Sequence, residues 1–314
     1  MRVQIHLRAE KLGNISRSKW RNKKSNPYAT ITSVDGSTNV VLSDDNPENN
    51  VVGCTEVCHN TLSPRWATIF TVEYDEIQQW TPLRITIRDS REHRFRRMRT
   101  NNDSSDVARV VHSAVSSSHD GKMGEVDVEV GEILNMDGQE RKCLLNEGGC
   151  LYVHVTPSIP TQSRGHMVSG IFQAQIRGLD FKNIESGLLG LGAIDPYFEL
   201  SKRYHDPKSG VTRWHLVYRS EGIHNIINPY WDPFQVDLSR LCHGDLKREL
   251  KFSLYDYEKK SSDRWLGEVE VTVEELMDSV TRGGNASRDG ALRVVDDRGQ
   301  VVGLLVVLKA EVSP

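Results

Sequence analysis

The sequence predicts an all-β protein made of two β-sandwiches in tandem. Three observations carry that expectation: apolar residues recur at every second position over short runs, turn-forming residues punctuate those runs, and one order of landmarks appears twice along the chain. A period of two sends successive side chains to opposite faces of a strand, so an alternating run buries one face and wets the other. In the first half the runs are Val3–Leu7, Tyr28–Ile31, Ile69–Val72, Leu83–Ile87, Gly124–Val130 and Leu151–Val155. In the second they are Ile171–Ile176, Tyr197–Leu200, Trp214–Tyr218, Leu250–Leu254, Glu268–Val273 and Val301–Leu308. Helical spacing is confined to Val273–Val280 and Val130–Leu134.

The landmarks recur in register. A first strand runs into a loop that ends in Ser25-Asn26-Pro27-Tyr28 or Ile194-Asp195-Pro196-Tyr197. Then comes Asn60-Thr61-Leu62-Ser63-Pro64-Arg65-Trp66, answered by Asn225-Ile226-Ile227-Asn228-Pro229-Tyr230-Trp231. A strand ends in Arg88-Asp89 or Tyr255-Asp256, and after a loop Met123-Gly124-Glu125-Val126 or Leu266-Gly267-Glu268-Val269 follows. Last, Gly148-Gly149-Cys150-Leu151-Tyr152-Val153 and Val302-Gly303-Leu304-Leu305-Val306 begin the final strands. The Pro/Ser-rich stretch around Thr156–Ser163 lacks periodicity and reads as a linker, so the expected domains are 1–156 and 168–314 around a linker at 157–167.

Composition narrows the function classes. The 314 residues carry 40 Lys and Arg against 43 Asp and Glu, a net charge of −3, which speaks against both a basic nucleic-acid binder and an acidic tail. A cut at residue 160 leaves 20 basic and 21 acidic residues before it and 20 and 22 after it, as a duplication would. The longest apolar run, Val301–Leu308, is far below the ~20 residues of a membrane-spanning helix. Residues Met1–Leu7 alternate like a strand, so no signal peptide is expected. The odd and scattered cysteines 54, 58, 143, 150 and 242 read as buried free thiols of a cytoplasmic protein. No nucleophile elbow, P-loop, zinc-protease or kinase signature is present, so an enzyme is not expected.

The landmark spacing resembles tandem C2 domains over nearly the whole chain. Gly53-Cys54-Thr55-Glu56-Val57 leading into Asn60–Pro64 is similar to the first C2 domain of copines. Asn228–Phe234, Leu241–Asp245 and Tyr255–Glu258 are similar to the second. The resemblance implies that each half is an eight-stranded antiparallel Greek-key sandwich. Each half opens on the strand that enters the first tip loop and closes on a Gly-led strand, which favours the type II strand order. It also implies that loops at one end gather carboxylates around Ca²⁺, which bridges to anionic lipid; such a hard cation needs six to eight oxygen ligands.

In the first domain Asp89 alone of the expected acids remains. Ser16, Asn26 and Arg91 stand where three carboxylates belong, and Asp120 is one place out of register, so Ca²⁺ binding is not expected there. The same loops are basic. Arg17, Lys19, Arg21, Lys23 and Lys24 surround Trp20, and Arg91, Arg94, Arg96, Arg97 and Arg99 surround Phe95 and Met98 inside a long loop-three insertion at about 91–120. With Glu92 these make nine net positive charges, each worth roughly 1 kcal/mol near an anionic leaflet. The lipid-binding candidates are therefore Arg17, Lys19, Trp20, Arg21, Lys23, Lys24, Arg94, Phe95, Arg96, Arg97 and Arg99. A solvated basic insertion is the competing reading.

In the second domain Asp195, Asp256 and Glu258 hold expected ligand positions, Asn183 offers an amide oxygen, and Arg264 takes the fifth place with Asp263 shifted by one. Two readings stay open: a weak Ca²⁺ site, or a relic neutralised by Arg264. Leu188, Leu189 and Leu191 on a glycine-flexed loop, opposite Trp265, read as a membrane wedge. Arg213, His215 and Arg219, with Lys202 or Arg203 on the preceding strand, suggest a basic strand face for phosphoinositide headgroups. The expectation is a peripheral protein on the cytoplasmic face of the plasma or an internal membrane. The alternative is an adaptor whose sandwiches dock a protein partner. Nucleic acid is not expected as a partner.

Overall fold

The computed structural model describes residues 2–16, 24–34, 51–74, 80–90, 121–157, 168–183, 193–205, 209–258, 263–283, 288 and 290–314. They fall into two compact units, centred on Met1–Ile159 and on Pro160–His205 with Thr212–Pro314. Strands hold 56% and helices 10% of the described residues, so the all-β expectation stands.

The first unit contains β1 (Arg2–Glu10), β2 (Pro27–Ser33), β3 (Val51–Cys54), β4 (Arg65–Glu73), β5 (Pro82–Asp89), β6 (Gly121–Glu129), the short helix α1 (Val130–Asn135), β7 (Glu140–Leu144) and β8 (Cys150–Pro157). These strands form two four-stranded antiparallel sheets in the orders β4-β1-β8-β7 and β3-β2-β5-β6. The alternating residues anticipated from sequence do meet between them. Val3, Ile5 and Leu7 of β1 and Val153 and Val155 of β8 share one core with Ile31 of β2 and Leu83, Ile85 and Ile87 of β5. Each such side chain contributes ~1.5–3 kcal/mol by leaving water.

The second unit repeats the arrangement with β9 (Ile171–Leu179), β10 (Pro196–His205), β11 (Thr212–Arg219), β12 (Phe234–Asp237), helix α2 (Leu238–Leu241), β13 (Leu250–Asp256), β14 (Arg264–Val271), helix α3 (Val273–Gly283), β15 (Leu292–Val295) and β16 (Val301–Ser313). The strand order is β11-β10-β13-β14-β15-β16-β9-β12. It is the same pair of four-stranded sets, joined through the single pair Glu268↔Val295. The core here is aromatic: the Phe198 ring lies 5.1 Å from Trp231, 5.2 Å from Phe252 and 5.7 Å from Phe234. Such offset and edge contacts add to the area term.

Among the described residues each half thus has eight strands, two more than the alternating runs marked. The additions are β3 and β7 in the first unit and β12 and β15 in the second, all of four or five residues. Two expected strands end early. Glu129 terminates β6 because its carboxylate caps α1, accepting from the Glu132 N–H at 2.7 Å, and also takes the Thr81 N–H at 2.6 Å. After β14, Thr272 and Glu275 close a reciprocal capping box that starts α3. Both helical stretches read from the sequence are helices. All five cysteines are free and buried.

Candidate functional site

In each unit the strand directions gather the β1–β2, β3–β4 and β5–β6 connections, or their counterparts after β9, β11 and β13, at one end. One hydrogen-bond relay holds those loops in both units. In the first, Asp89 Oδ1 accepts from the Asn26 N–H (2.6 Å), Asn26 Oδ1 from the Asn60 N–H (2.9 Å), and Asn60 Oδ1 from the Lys24 N–H (3.0 Å). In the second, Asp256 Oδ1 accepts from Asp195 N–H (2.7 Å), Asp195 Oδ1 from Asn225 N–H (2.7 Å), and Asn225 Oδ1 from Ala193 N–H (2.6 Å). Asn60 and Asn225 sit at φ 51° and 56°, the left-handed region that asparagine tolerates. Trp66 and Trp231 donate their indole N–H to the Pro27 and Pro196 carbonyls at 3.4 and 3.3 Å. The repeated landmarks are therefore the parts of a loop staple, and Asn26 serves as well as Asp195 because the relay needs an oxygen, not a charge.

The carboxylates expected to hold Ca²⁺ are committed to protein donors. The second oxygen of Asp195 lies 2.8 Å from His224 Nδ1. Asp256 is buried, and its Oδ2 faces Arg264 Nη2 at 3.7 Å; the same guanidinium reaches Glu258 Oε1 at 3.2 Å. Asp263 accepts from the Tyr197 hydroxyl at 2.8 Å and from the Glu258 N–H at 3.0 Å. Burial first, and then Asp263, pushes the Tyr197 phenol well above its ordinary range, so it stays a donor. Asn183 is exposed at the start of the first loop. Among the described residues no three His, Cys, Asp or Glu side chains are placed to hold a metal. With a guanidinium already between two of the acids, the set does not fit a dication.

Most of the lipid-binding candidates lie outside the described residues: Arg17, Lys19, Trp20, Arg21, Lys23, Arg94, Phe95, Arg96, Arg97, Arg99, Leu188, Leu189 and Leu191. Lys24 is half-buried, its backbone tied into the relay. Trp265 is 36% exposed at the loop end of the second unit, and the structure adds three residues there that sequence reasoning missed: Ile227 (37%), Tyr230 (54%) and Val301 (43%). Tyr230 is backed by Arg177, whose guanidinium stands 5.6 Å from the ring centroid. The signal was present for Ile227 and Tyr230, large apolar residues inside a turn-rich landmark. In the first unit Leu144 is 80% exposed at the loop end, whereas Val34, Trp80 and Met136 are exposed at the opposite end.

The basic strand face is corrected by the register. A bulge between Leu200 and Ser201 sets Lys202 opposite His215 but Arg219 opposite Glu199, so the period-two count fails across it. Arg219 is bound by Glu199 (Nε–Oε1 3.0 Å), Arg203 by Glu249, and His215 is buried with Tyr204 stacked on it at 5.3 Å. Lys202 is buried, donating to the Arg240 carbonyl at 3.0 Å and lying 3.3 Å from His243 Nε2. Burial, then Arg248 and Arg240, brings its ammonium down to about 7, and burial with Lys202 takes His243 down to about 3. These residues do not form an exposed basic cluster.

A family model described as "C2 domain" matches residues 2–145 and 174–286. Copine-D of Dictyostelium discoideum is 30% identical over 235 residues, 74% of this chain and 36% of that protein, so the match spans about a third of the relative's length. Among solved structures, BON1-C2B covers 49% of the chain and 99% of its own at 17% identity and TM-score 0.38. The calcium-bound pair of C2 domains of Extended-Synaptotagmin 2 covers 100% of this chain and 98% of its own at 13% identity and TM-score 0.31.

Proposed function

The chain belongs to the C2 domain family, as two copine-like domains in tandem, and on that footing we propose that it binds the phospholipid surface of a membrane through its tip loops without needing Ca²⁺. The observation that supports this most is in the second domain. Ile227, Tyr230, Trp265 and Val301 are exposed at the end where Arg264 sits among the carboxylates. Apolar side chains there gain ~25 cal/mol per Å² moved from water into the membrane interface, and Trp and Tyr favour that depth. Arg264 supplies the positive charge that a bound ion supplies in other tips, and the sequence offers Leu188, Leu189 and Leu191, between β9 and β10, as further apolar candidates.

In the first domain the nine net positive charges of the two basic loops set an upper limit near ~9 kcal/mol at an anionic leaflet, which screening brings to about half. Two sites on one chain multiply weak contacts through effective concentration. The surface proposed is the cytoplasmic face of the plasma or an internal membrane. No helix among the described residues is long and apolar enough to cross one. Val34, Trp80 and Met136, at the far end of the first domain from its loops, favour a second reading, in which that end docks a protein partner.

Co-sedimentation with vesicles tests the proposal. Binding is expected to rise with phosphatidylserine, fall with salt and be equal in EDTA and in Ca²⁺. Absence of binding under all conditions, or binding seen with Ca²⁺ alone, overturns it.

A further inference from the structure

We propose that His6 and His154 of the first domain, with Glu140 beside them, form a site for a transition-metal dication of the Zn²⁺ or Cu²⁺ type. The site lies on the outward face of the β4-β1-β8-β7 sheet, on the flank of the sandwich rather than at its tip. Along β1 and β8 the core takes Ile5, Leu7, Val153 and Val155, so the alternate residues point outward. The register then sets one row across the four strands. Ile69 stands opposite His6, His6 opposite His154, and His154 opposite Glu140.

The separation of the two rings decides what they can share. Their centroids are 6.0 Å apart, with the planes inclined at 52°. With Zn–N bonds of about 2.1 Å, two imidazoles on one ion have centroids about 5.3 Å apart at the tetrahedral angle and about 6.5 Å apart when collinear. The observed pair falls inside that interval, so turning the rings admits one ion between them with the strands unmoved. Imidazole nitrogen suits zinc, copper and nickel, whereas Ca²⁺ takes oxygen ligands.

His6 is 9% and His154 3% exposed, so the pair lies just beneath the surface. A dication held there needs a counter-charge, and Glu140 is the carboxylate of the same row. Its Oε2 lies 3.3 Å from Arg8 Nη2. Arg8 is also held by Glu10, Nη1 to Oε1 at 2.6 Å, and by the Tyr152 ring, whose centroid is 3.6 Å from its guanidinium carbon. Those two contacts keep Arg8 in place when Glu140 turns to the ion. The two imidazoles are thus already at bridging distance, and Glu140 completes the set by that exchange. β1 opens the domain and β8 closes it, so an ion held by both clips nearly the whole first domain. The unfolded chain separates the ligands, and binding therefore stabilises the folded state.

The test titrates the whole chain with Zn²⁺ by calorimetry, beside urea denaturation followed on the first domain's transition. One ion per chain is expected, and saturating Zn²⁺ should raise that urea midpoint. His6→Gln and His154→Gln should each weaken binding at least about tenfold, since loss of an outer-shell partner alone costs that much, and should abolish the midpoint shift. Glu140→Gln should weaken it as well, while His224→Gln, at the tip of the second domain, should bind as wild type does. For the case where a histidine variant unfolds, the electron paramagnetic resonance spectrum of the Cu²⁺-loaded wild type should show two nitrogen ligands. The proposal is overturned if Zn²⁺ does not bind wild type, binds both histidine variants undiminished, or is lost in His224→Gln instead. Fewer than two nitrogens on Cu²⁺ overturns it too, and undiminished binding by Glu140→Gln removes Glu140 from the set.

Discussion

Replacing Lys202 by methionine should flatten the pH dependence of the second domain's stability. The ammonium sits at the inner end of β10, bonded to the Arg240 carbonyl and beside His243 Nε2, with Arg240 and Arg248 as like charges nearby. Its folded value of about 7 lies below the 10.5 of an exposed lysine. The native state therefore binds fewer protons than the unfolded state between those values, and stability rises with pH across that window by up to ~1.4 kcal/mol per unit. His243, lowered to about 3, acts in the same direction but only below its ordinary value of 6.5. Cys242, raised to about 11 by burial, opposes the trend once free thiols ionise near 9, as do Tyr197 and Tyr218 in more alkaline solution. The clean interval is roughly pH 7 to 8.5, where Lys202 alone should add about 1.5 kcal/mol. Urea denaturation of the whole chain, followed on the transition that unfolds the second domain, measures it. Wild type should gain that amount and Lys202→Met less than a third of it. Equal gains in both proteins would refute the assignment of a buried, depressed ammonium to this site.

Three further outcomes follow from the geometry. Arg264→Asp should open the carboxylate cluster, so that calorimetry shows Ca²⁺ heats with a Kd on the order of 10⁻⁴–10⁻³ M where wild type shows none; wild-type heats lost in Asp256→Asn would contradict the fit argument. Gly303→Ala should lower stability by ~1–3 kcal/mol through overpacking against Phe181, whose ring a Cβ there would meet at 2.3 Å, read as a lower urea midpoint, and an unchanged midpoint would mean the ring has room to move. Tyr230→Ala with Trp265→Ala should cut vesicle affinity at least about tenfold by removing inserted apolar area, without changing the melt; undiminished sedimentation would place the insertion elsewhere.

The sandwich architecture could be read because one face of each long strand is buried: Val3, Ile5 and Leu7, or Ile85 and Ile87, alternate without interruption. β3, β7 and β12 escaped because they are edge strands of four or five residues, too short to show a period even where, as with Phe234 and Val236 of β12, one face is buried, and β15 touches β14 through one pair alone. The loop landmarks were visible, but their purpose was not. The relay runs from side chain to backbone across separations such as the 61 residues between Asp195 and Asp256, and nothing local announces it. Asp195 and Asp256 consequently looked like metal ligands when half of each carboxylate is already spent on backbone. The bulge after Leu200 is equally silent in sequence, and it parted Arg219 from His215. Trp265 was found through its opposition to the leucine loop. The β15–β16 turn was overlooked, since only the folded sandwich brings it beside β14.

The Asp–Asn–Asn relay bears on how such a protein can change over generations. Ser90 donates its N–H to the Asn26 carbonyl at 2.9 Å, and Asn26 Nδ2 returns a bond to the Ser90 carbonyl at 3.3 Å, while Gly121 resumes pairing opposite Asp89. Both feet of the intervening segment are thus clamped by residues that do not belong to it. Closing a longer span between fixed feet adds only about 0.6 kcal/mol per doubling of length. Insertions and charge reversals in that span can accumulate almost without penalty to the sandwich beneath, leaving selection free to re-letter the tip while the frame stays put.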